Sequence, residues 1–241
     1  MVDNSVRLPL GVCVVPSTQT MRGGSRLNYS LGIARETCGA QCLAMSLVIV
    51  PPGGAARPHY HRAGATIIHI LTGRSEMRFG QRLSQSVVSG PGDFIYIGAG
   101  MPHAPRNLSD RESAIAINAR TDATQEEPIV PIEPSETLLT IPADGVWTVN
   151  APATVMNASQ LSVERITRVR EAETSARQSR GETGVYVARG MVALRYGEQL
   201  EHSIALAHDN FVFVPPGVAH QWRAVGDEAA LLVVARTGAD E

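Results

Sequence analysis

The chain contains one sequence pattern twice, and this repeat limits the folds that are open to it. Shifted by 117 positions, residues 77–107 (MRFGQRLSQSVVSGPGDFIYIGAGMPHAPRN) align without a gap on residues 194–224 (LRYGEQLEHSIALAHDNFVFVPPGVAHQWRA). The same shift places Gly73 on Gly190 and His103 on His220. A gapless alignment that runs through several turns indicates two copies of one domain.

Both copies have the pattern of β structure. Short apolar segments such as LAMSLVIV, ATIIHIL, DFIYI and NFVFV are separated by turns rich in glycine and proline. Such segments at short, regular spacing are typical of an all-β sandwich or barrel. We therefore expect a first domain over residues 1–125, an irregular connector rich in Pro and Glu over 126–145, and a second domain over 146–241.

Composition and charge exclude several classes of function. All 21 basic residues are arginines, and they are scattered along a chain with a formal charge of −2, so we expect no nucleic-acid partner. The absence of lysine excludes Schiff-base chemistry. No apolar run approaches the length of a membrane span, and the segment MVDNSVRLPLGVCVVP has no basic start followed by a long apolar stretch, so we expect neither a membrane span nor a targeting segment. Three cysteines without zinc spacing suit a reducing compartment, so the expected location is cytoplasmic.

Three histidines of the first copy are candidate metal ligands. His59 and His61 lie two residues apart in HYH, so on a strand their side chains point to the same side. His103 follows the tight turn GAGMP, which lies between two of the apolar segments. Imidazole suits most divalent transition metals. The alternative is that the three are polar residues packed in a barrel without a metal.

The spacing around these histidines resembles the two motifs of the cupin superfamily. The first motif is met by Gly53, His59, His61, Thr66 and Gly73, and the second by Gly92, Gly98 in place of proline, Gly100, His103 and Asn107. The resemblance covers both halves and implies an all-β bicupin with two tandem jelly-roll barrels. It also implies that His59, His61 and His103 hold one metal ion at the mouth of the first barrel, and that the protein is a homodimer.

Thr66 departs from the family pattern, because most cupins place a ligating glutamate at that position. Three neutral imidazoles leave the double positive charge of the ion uncompensated, which favours an anionic, chelating small-molecule substrate. Three-histidine cupins include dioxygenases of the gentisate and diketone-cleaving type. The resemblance therefore implies dioxygenase chemistry on a small oxygenated metabolite with Fe2+, while Zn2+, Ni2+, Mn2+ and Cu2+ stay possible.

Two other functions stay open at this point. One is redox-neutral isomerisation or cyclisation, in which the ion acts as a Lewis acid on an enolate. The other is a binding module that holds a ligand or a metal without turnover. As catalytic candidates beside the ligands we name Thr66 and Arg106, the latter as a group that could orient an anion through paired hydrogen bonds.

The second copy is expected to lack the metal. The shift of 117 places Ala176, Gln178, Thr183 and His220 at the four ligand positions, and alanine cannot bind an ion. Glu182 lies one place before Thr183, so we expect its side chain on the opposite face of the strand.

His69, three residues after Thr66, is likewise expected to face away from the candidate metal site. We predict a hydrogen-bonded histidine that lies between sheets or at a subunit contact.

Overall fold

The computed structural model describes residues 4–18, 20–62, 64–124, 129–132, 160–169 and 171–238, and the backbone alone of residues 146–149 and 155–158. The helices in these ranges are one short α-helix, α1 (Arg35–Cys38), and two 3-10 turns at Pro9–Gly11 and Gln81–Leu83. None of the described helices has the length and apolar character needed to span a membrane.

The other regular elements among the described residues are short β-strands. In chain order they are β1 (Val6–Arg7), β2 (Cys13–Pro16), β3 (Thr20–Arg22), β4 (Asn28–Ile33), β5 (Ala44–Val50), β6 (His59–His61), β7 (Thr66–Thr72), β8 (Ser75–Phe79), β9 (Gln85–Ser89), β10 (Phe94–Ile97), β11 (His103–Asn107), β12 (Ala114–Arg120), β13 (Ile129–Pro131), β14 (Val146–Val149), β15 (Val155–Ala158), β16 (Leu161–Arg168), β17 (Thr183–Arg189), β18 (Met191–Tyr196), β19 (His202–Ala207), β20 (Asn210–Val214), β21 (His220–Ala224) and β22 (Ala230–Thr237).

The strands assemble into two barrels, each made of a large and a small sheet. In the first barrel the large sheet has the order β14-β10-β7-β12-β5-β4-β3 and the small sheet β13-β6-β11-β8-β9. In the second barrel the large sheet has the order β1-β2-β20-β17-β22-β16-β15 and the small sheet β19-β18-β21. The all-β fold with two tandem jelly-roll barrels, expected from the sequence, is confirmed.

The side chains of β7 point alternately into two apolar cores. Ile68 and Ile70 belong to an apolar cluster inside the first barrel, together with residues of β8 and β10. Ile67 and its neighbours on the other face join a cluster that contains residues of both large sheets, including Tyr186 and Val233. The two barrels therefore pack back to back through their large sheets, and one apolar layer serves both.

The internal repeat is reproduced in the strand register. His69 pairs with Phe94 in the first barrel, and Tyr186 pairs with Phe211 in the second. Gly73 and Gly190 both have a φ of +77°, and a Cβ at Gly73 would lie 2.7 Å from the Cα of Ala114. Glycine recurs at this position because a left-handed turn and a close backbone contact both exclude a side chain.

The sheets do not divide at the boundaries that the sequence suggests. β1 and β2 belong to the large sheet of the second barrel, where Val14 pairs with Val212, and β14 belongs to that of the first barrel. Most of the connector 126–145 lies outside the described residues, but β13 within it pairs with β6. The ranges 1–125, 126–145 and 146–241 stay a prediction, and strands at the start of the first range and at the start of the last range cross between the barrels.

Candidate metal centre

Three histidines converge inside the first barrel. His59 and His61 lie on β6, and His103 begins β11, whose pairing with β6 sets His103 opposite His59. The ring centroids are 4.4–5.1 Å apart. One nitrogen from each ring lies within 4.8 Å of the other two, and all three side chains are buried. The structure thus brings together the residues that the sequence named as metal ligands.

Backbone carbonyls orient two of the rings. Nδ1 of His59 lies 2.6 Å from the carbonyl oxygen of Arg57, and Nδ1 of His103 lies 2.8 Å from that of Met101. Because a carbonyl oxygen only accepts, each Nδ1 carries the hydrogen and donates it. In the neutral ring this leaves the lone pair on Nε2, which is the usual arrangement of a metal-ligating histidine.

Burial favours the neutral form that a metal requires. Burial lowers the pKa of His103 well below its usual value, and the neighbouring His59 and His61 lower it further. Two nitrogens that share one ion at about 2.0–2.1 Å lie about 3–3.4 Å apart. The rings are close enough to reach that spacing with small side-chain rotations, so the donor set fits a divalent transition metal.

Thr66 faces the interior of the barrel that contains this cluster. It begins β7, is 3% exposed, and shares the inward face of the strand with Ile68 and Ile70. The position at which most cupins have a glutamate therefore faces the interior of the barrel, as the resemblance implies.

Arg106 is not brought to the cluster. It lies three residues after His103 on β11, its side chain is 55% exposed, and its Nε donates to Oε2 of Glu76 at 2.5 Å. Strand alternation turns residues an odd number apart to opposite faces. The geometry thus gives no support to a catalytic role for Arg106, whose guanidinium pairs at the outer surface.

Arg120 is the residue that sequence reasoning missed. It pairs with Thr66 across β12 and β7 and is 7% exposed. Ile117 and Ala119 of β12 face the layer between the barrels, so Arg120 faces the barrel interior with Thr66. Its Nη2 donates to the carbonyl oxygen of Thr124 at 2.7 Å. One sequence signal could have pointed to Arg120. The tripeptide ART occurs in NART of the first copy and in VART of the second, so Arg120 corresponds to Arg236.

His69 lies between the two large sheets, and the expectation of a hydrogen-bonded residue is confirmed. Its Nδ1 lies 3.2 Å from the carbonyl oxygen of Asp93, and its ring stacks on Phe94 at 4.3 Å. Burial lowers the pKa of His69 to about 4, and Arg165 of the second barrel adds to the shift.

In the second barrel the register of the first motif differs by one residue from the sequence alignment. Arg177 pairs with His220 as His59 pairs with His103. Gly217 donates to the carbonyl of Ser179, as Gly100 does to that of His61. The counterparts of His59 and His61 are therefore Arg177 and Ser179, and the assignment to Ala176 and Gln178 is corrected. A gapless shift missed the residue that is deleted between this segment and Thr183.

The other assignments in the second copy agree with the structure. Thr183 pairs with Val214 as Thr66 pairs with Ile97. Glu182 faces away from the barrel interior, where its carboxylate accepts hydrogen bonds from the backbone N–H groups of residues 41–43 at 2.6–2.9 Å. The prediction that the second barrel binds no metal stays a prediction, and its ligand positions now hold Arg177, Ser179, Thr183 and His220.

The comparisons with known proteins agree with this architecture. Residues 46–119 match the cupin domain family. AerE from Microcystis aeruginosa superimposes with a TM-score of 0.68 at 12% identity, over 92% of this chain and 97% of that one. Oxalate decarboxylase from Bacillus subtilis, in a study of its Mn(II) centres, superimposes with a TM-score of 0.71 at 13% identity, over 93% of this chain and 77% of that one. A search of curated protein sequences found no match.

Proposed function

We propose that this chain, which matches the cupin domain family over residues 46–119 and folds into two jelly-roll barrels, is a metal-dependent enzyme that acts on a small, chelating, anionic metabolite. The observation that carries the proposal is the convergence of His59, His61 and His103 in a buried site, with Thr66 at the position of the usual carboxylate ligand. A divalent ion held by three neutral rings keeps its full charge, and a substrate that supplies oxygen ligands of its own would balance it.

The favoured reaction is a dioxygenase reaction with Fe2+. When bound, iron supplies one-electron chemistry toward O2, whereas zinc would supply Lewis acidity alone. The residues of the chain contribute position and environment. The carbonyls of Arg57 and Met101 hold two of the rings, and the buried walls of the barrel keep bulk water away from the reacting centre.

We further propose that Arg120 orients the substrate. Its guanidinium is buried on the same face as Thr66, and a guanidinium binds a carboxylate or an enolate through directional N–H groups. Thr66 would contribute a hydroxyl that can donate a hydrogen bond to the bound substrate. Arg106, which pairs with Glu76 at the surface, has no part in this arrangement.

Imidazole binds several divalent ions well, so the proposal covers more than one metal. Oxalate decarboxylase from Bacillus subtilis has Mn(II) centres, so manganese is a candidate together with iron, zinc, nickel and copper. The same neighbour acts on oxalate, as its name states, and oxalate is a small chelating dianion. It therefore belongs among the substrates to be tried here.

The test begins with metal analysis of protein purified without a histidine tag. O2 uptake is then measured with β-diketones, hydroxy-aromatic acids and oxalate, on the wild type and on His103→Ala. Iron together with substrate-dependent O2 uptake that His103→Ala abolishes supports the dioxygenase. Zinc with turnover but no O2 uptake favours the isomerase or cyclase. Bound ligand or metal without any turnover would leave a binding module and overturn the enzymatic proposal.

A further inference from the structure

The mouth of the second barrel contains a cavity of about 410 Å³. Its lining is mostly polar and includes Glu164, Arg168, Arg177, His220, Trp222 and Arg236. His220 is the counterpart of His103, so this cavity occupies the place that the histidine cluster has in the first barrel. A volume of this size suits a small metabolite.

The charge of the lining is strongly positive. Among the described residues that line the cavity, three arginines (Arg168, Arg177 and Arg236) accompany a single carboxylate, that of Glu164, while Arg165 alternates to the opposite face of β16, toward His69. Oε1 of Glu164 pairs with Nη1 of Arg236, and the same oxygen lies 3.9 Å from Nη1 of Arg177. One carboxylate shared between two guanidinium groups leaves at least one positive charge without compensation at this point.

Some donors in the lining are buried without a partner. The side chain of Arg236 is only 9% exposed, yet its Nε has no hydrogen-bond acceptor among the described residues. Within the same part of the chain, the Nε of Arg168 is buried and has no acceptor either. A buried N–H group of a charged side chain without an acceptor is costly. A ligand with acceptor oxygens would satisfy these donors and balance the excess charge together.

The residues at the positions equivalent to the ligands contribute to the charge of this cavity. Where the first barrel has His59, the second has Arg177, whose backbone makes the same pairing with the strand that begins at the retained histidine. The second barrel thus carries a fixed guanidinium on the residue that corresponds to a metal-ligating histidine of the first. Both arrangements present positive charge to the centre of a barrel mouth, and both therefore select for anions.

We propose that the second barrel binds a small anion through a carboxylate or phosphate group, which contacts Arg177 at the rim and Arg236 deeper in the cavity. The binding needs no metal. It is therefore independent of the function proposed for the first barrel, and either proposal can fail without the other.

The test is calorimetric titration of the full-length protein in low-salt Tris buffer, after the metal has been removed and the chelator dialysed away. The probes are inorganic phosphate, oxalate, malonate and succinate. Arg177→Gln removes the rim guanidinium, which is 55% exposed and contributes little to the core. Arg223→Gln is the matched control, because this arginine is also partly exposed on β21 but pairs outside the cavity with Glu173. Thermal unfolding of both variants checks that they fold.

We expect saturable binding of at least one probe, weakened about tenfold or more by Arg177→Gln and less than about threefold by Arg223→Gln. Tighter binding of phosphate than of the dicarboxylates would indicate a phosphorylated ligand, and the reverse order would indicate a carboxylic acid. If Arg177→Gln fails to fold, Arg168→Gln takes its place with the same expected loss. The proposal would be overturned if no probe binds saturably, or if Arg177→Gln and Arg223→Gln weaken the affinity equally.

Discussion

At the scale of single residues, the candidate metal centre depends on what surrounds each histidine. His220 has the same local geometry as His103, since its Nδ1 lies 3.0 Å from the carbonyl oxygen of Val218. It nevertheless has Arg177 and Ser179 as neighbours in place of two histidines. An oriented imidazole is therefore not a metal site by itself. The neighbouring side chains decide whether it can share an ion with other ligands.

This contrast predicts the metal content of two matched variants. His103→Ala removes one of three neutral ligands and should weaken binding of the divalent ion by about 100-fold or more. His220→Ala removes a ring in the same local setting and should leave the metal content unchanged. Plasma mass spectrometry of both proteins after dialysis measures the difference. Equal loss of metal in the two variants would contradict the assignment of the ligands.

A second prediction concerns Thr66. Replacement by glutamate puts a carboxylate at the inward position where most cupins have a ligand, so the Thr66→Glu protein should gain more thermal stability from added Mn2+ or Zn2+ than the wild type does. Thr183→Glu makes the same change in the second barrel and should gain nothing from the metal. Scanning calorimetry with and without the ion compares them. A similar gain in both variants would show that Thr66 is remote from the ion.

His69 predicts a pH dependence of stability. Its pKa is about 4 in the folded protein and near 6.5 when unfolded, so the unfolded chain binds the proton first as the pH falls. The stability associated with the neutral ring is complete above pH 6.5 and is lost progressively toward pH 4, by about 3 kcal/mol in total. Urea unfolding between pH 7.5 and 4.5 should show a smaller loss for His69→Gln than for the wild type. Parallel curves would argue against burial as the cause.

At the scale of elements, one carboxylate ties the two barrels together. Glu182 precedes β17 of the second barrel and accepts hydrogen bonds from the N–H groups of Gln41, Cys42 and Leu43, which lead into β5 of the first. Charged acceptors strengthen such bonds, and an unpaired buried N–H group is costly.

Glu182→Gln should therefore lower the free energy of unfolding by about 2 kcal/mol, because the amide keeps one acceptor oxygen and turns an N–H group toward the others. Glu198→Gln, at an exposed position, is the control and should change stability very little. Urea titration followed by circular dichroism measures both. A loss for Glu182→Gln no larger than for the control would mean that the barrels do not depend on this contact.

The same segment shows how far the sequence reached at this scale. The shift of 117 holds from Thr66 to Asn107, where turns and strands keep their length, so the register of β7 to β11 could be predicted. It fails before Thr66, since the second copy has one residue fewer between Ser179 and Thr183 than the first has between His61 and Thr66. A deletion in a loop carries no apolar signal, and only the pairing with His220 reveals it.

At the scale of the whole molecule, the barrels share structure that neither half contains alone. One apolar layer contains buried residues of both large sheets, and β2 and β14 each complete the sheet of the other half. Cooperative unfolding is expected where one core serves two barrels. The homodimer implied by the family resemblance stays a prediction, which analytical ultracentrifugation would decide.

The shared core predicts a single unfolding transition. In Trp147→Phe the remaining tryptophan is Trp222 of the second barrel, which lines the cavity there and reports on that barrel alone. A metal bound in the first barrel should still raise the unfolding midpoint seen by Trp222, because both barrels unfold together. An unfolding midpoint at Trp222 that the metal does not change, although the metal binds, would contradict this expectation.

The sequence by itself determined the two β domains, the internal repeat and the three histidines, because strand alternation and turn glycines are local signals. Only the tertiary structure decided the rest. It turned Arg106 to the surface, brought Arg120 beside Thr66, and placed Arg177 opposite His220. These outcomes depend on which strands become neighbours and in which register, and that is set by long-range pairing and by the packing of both large sheets on one core.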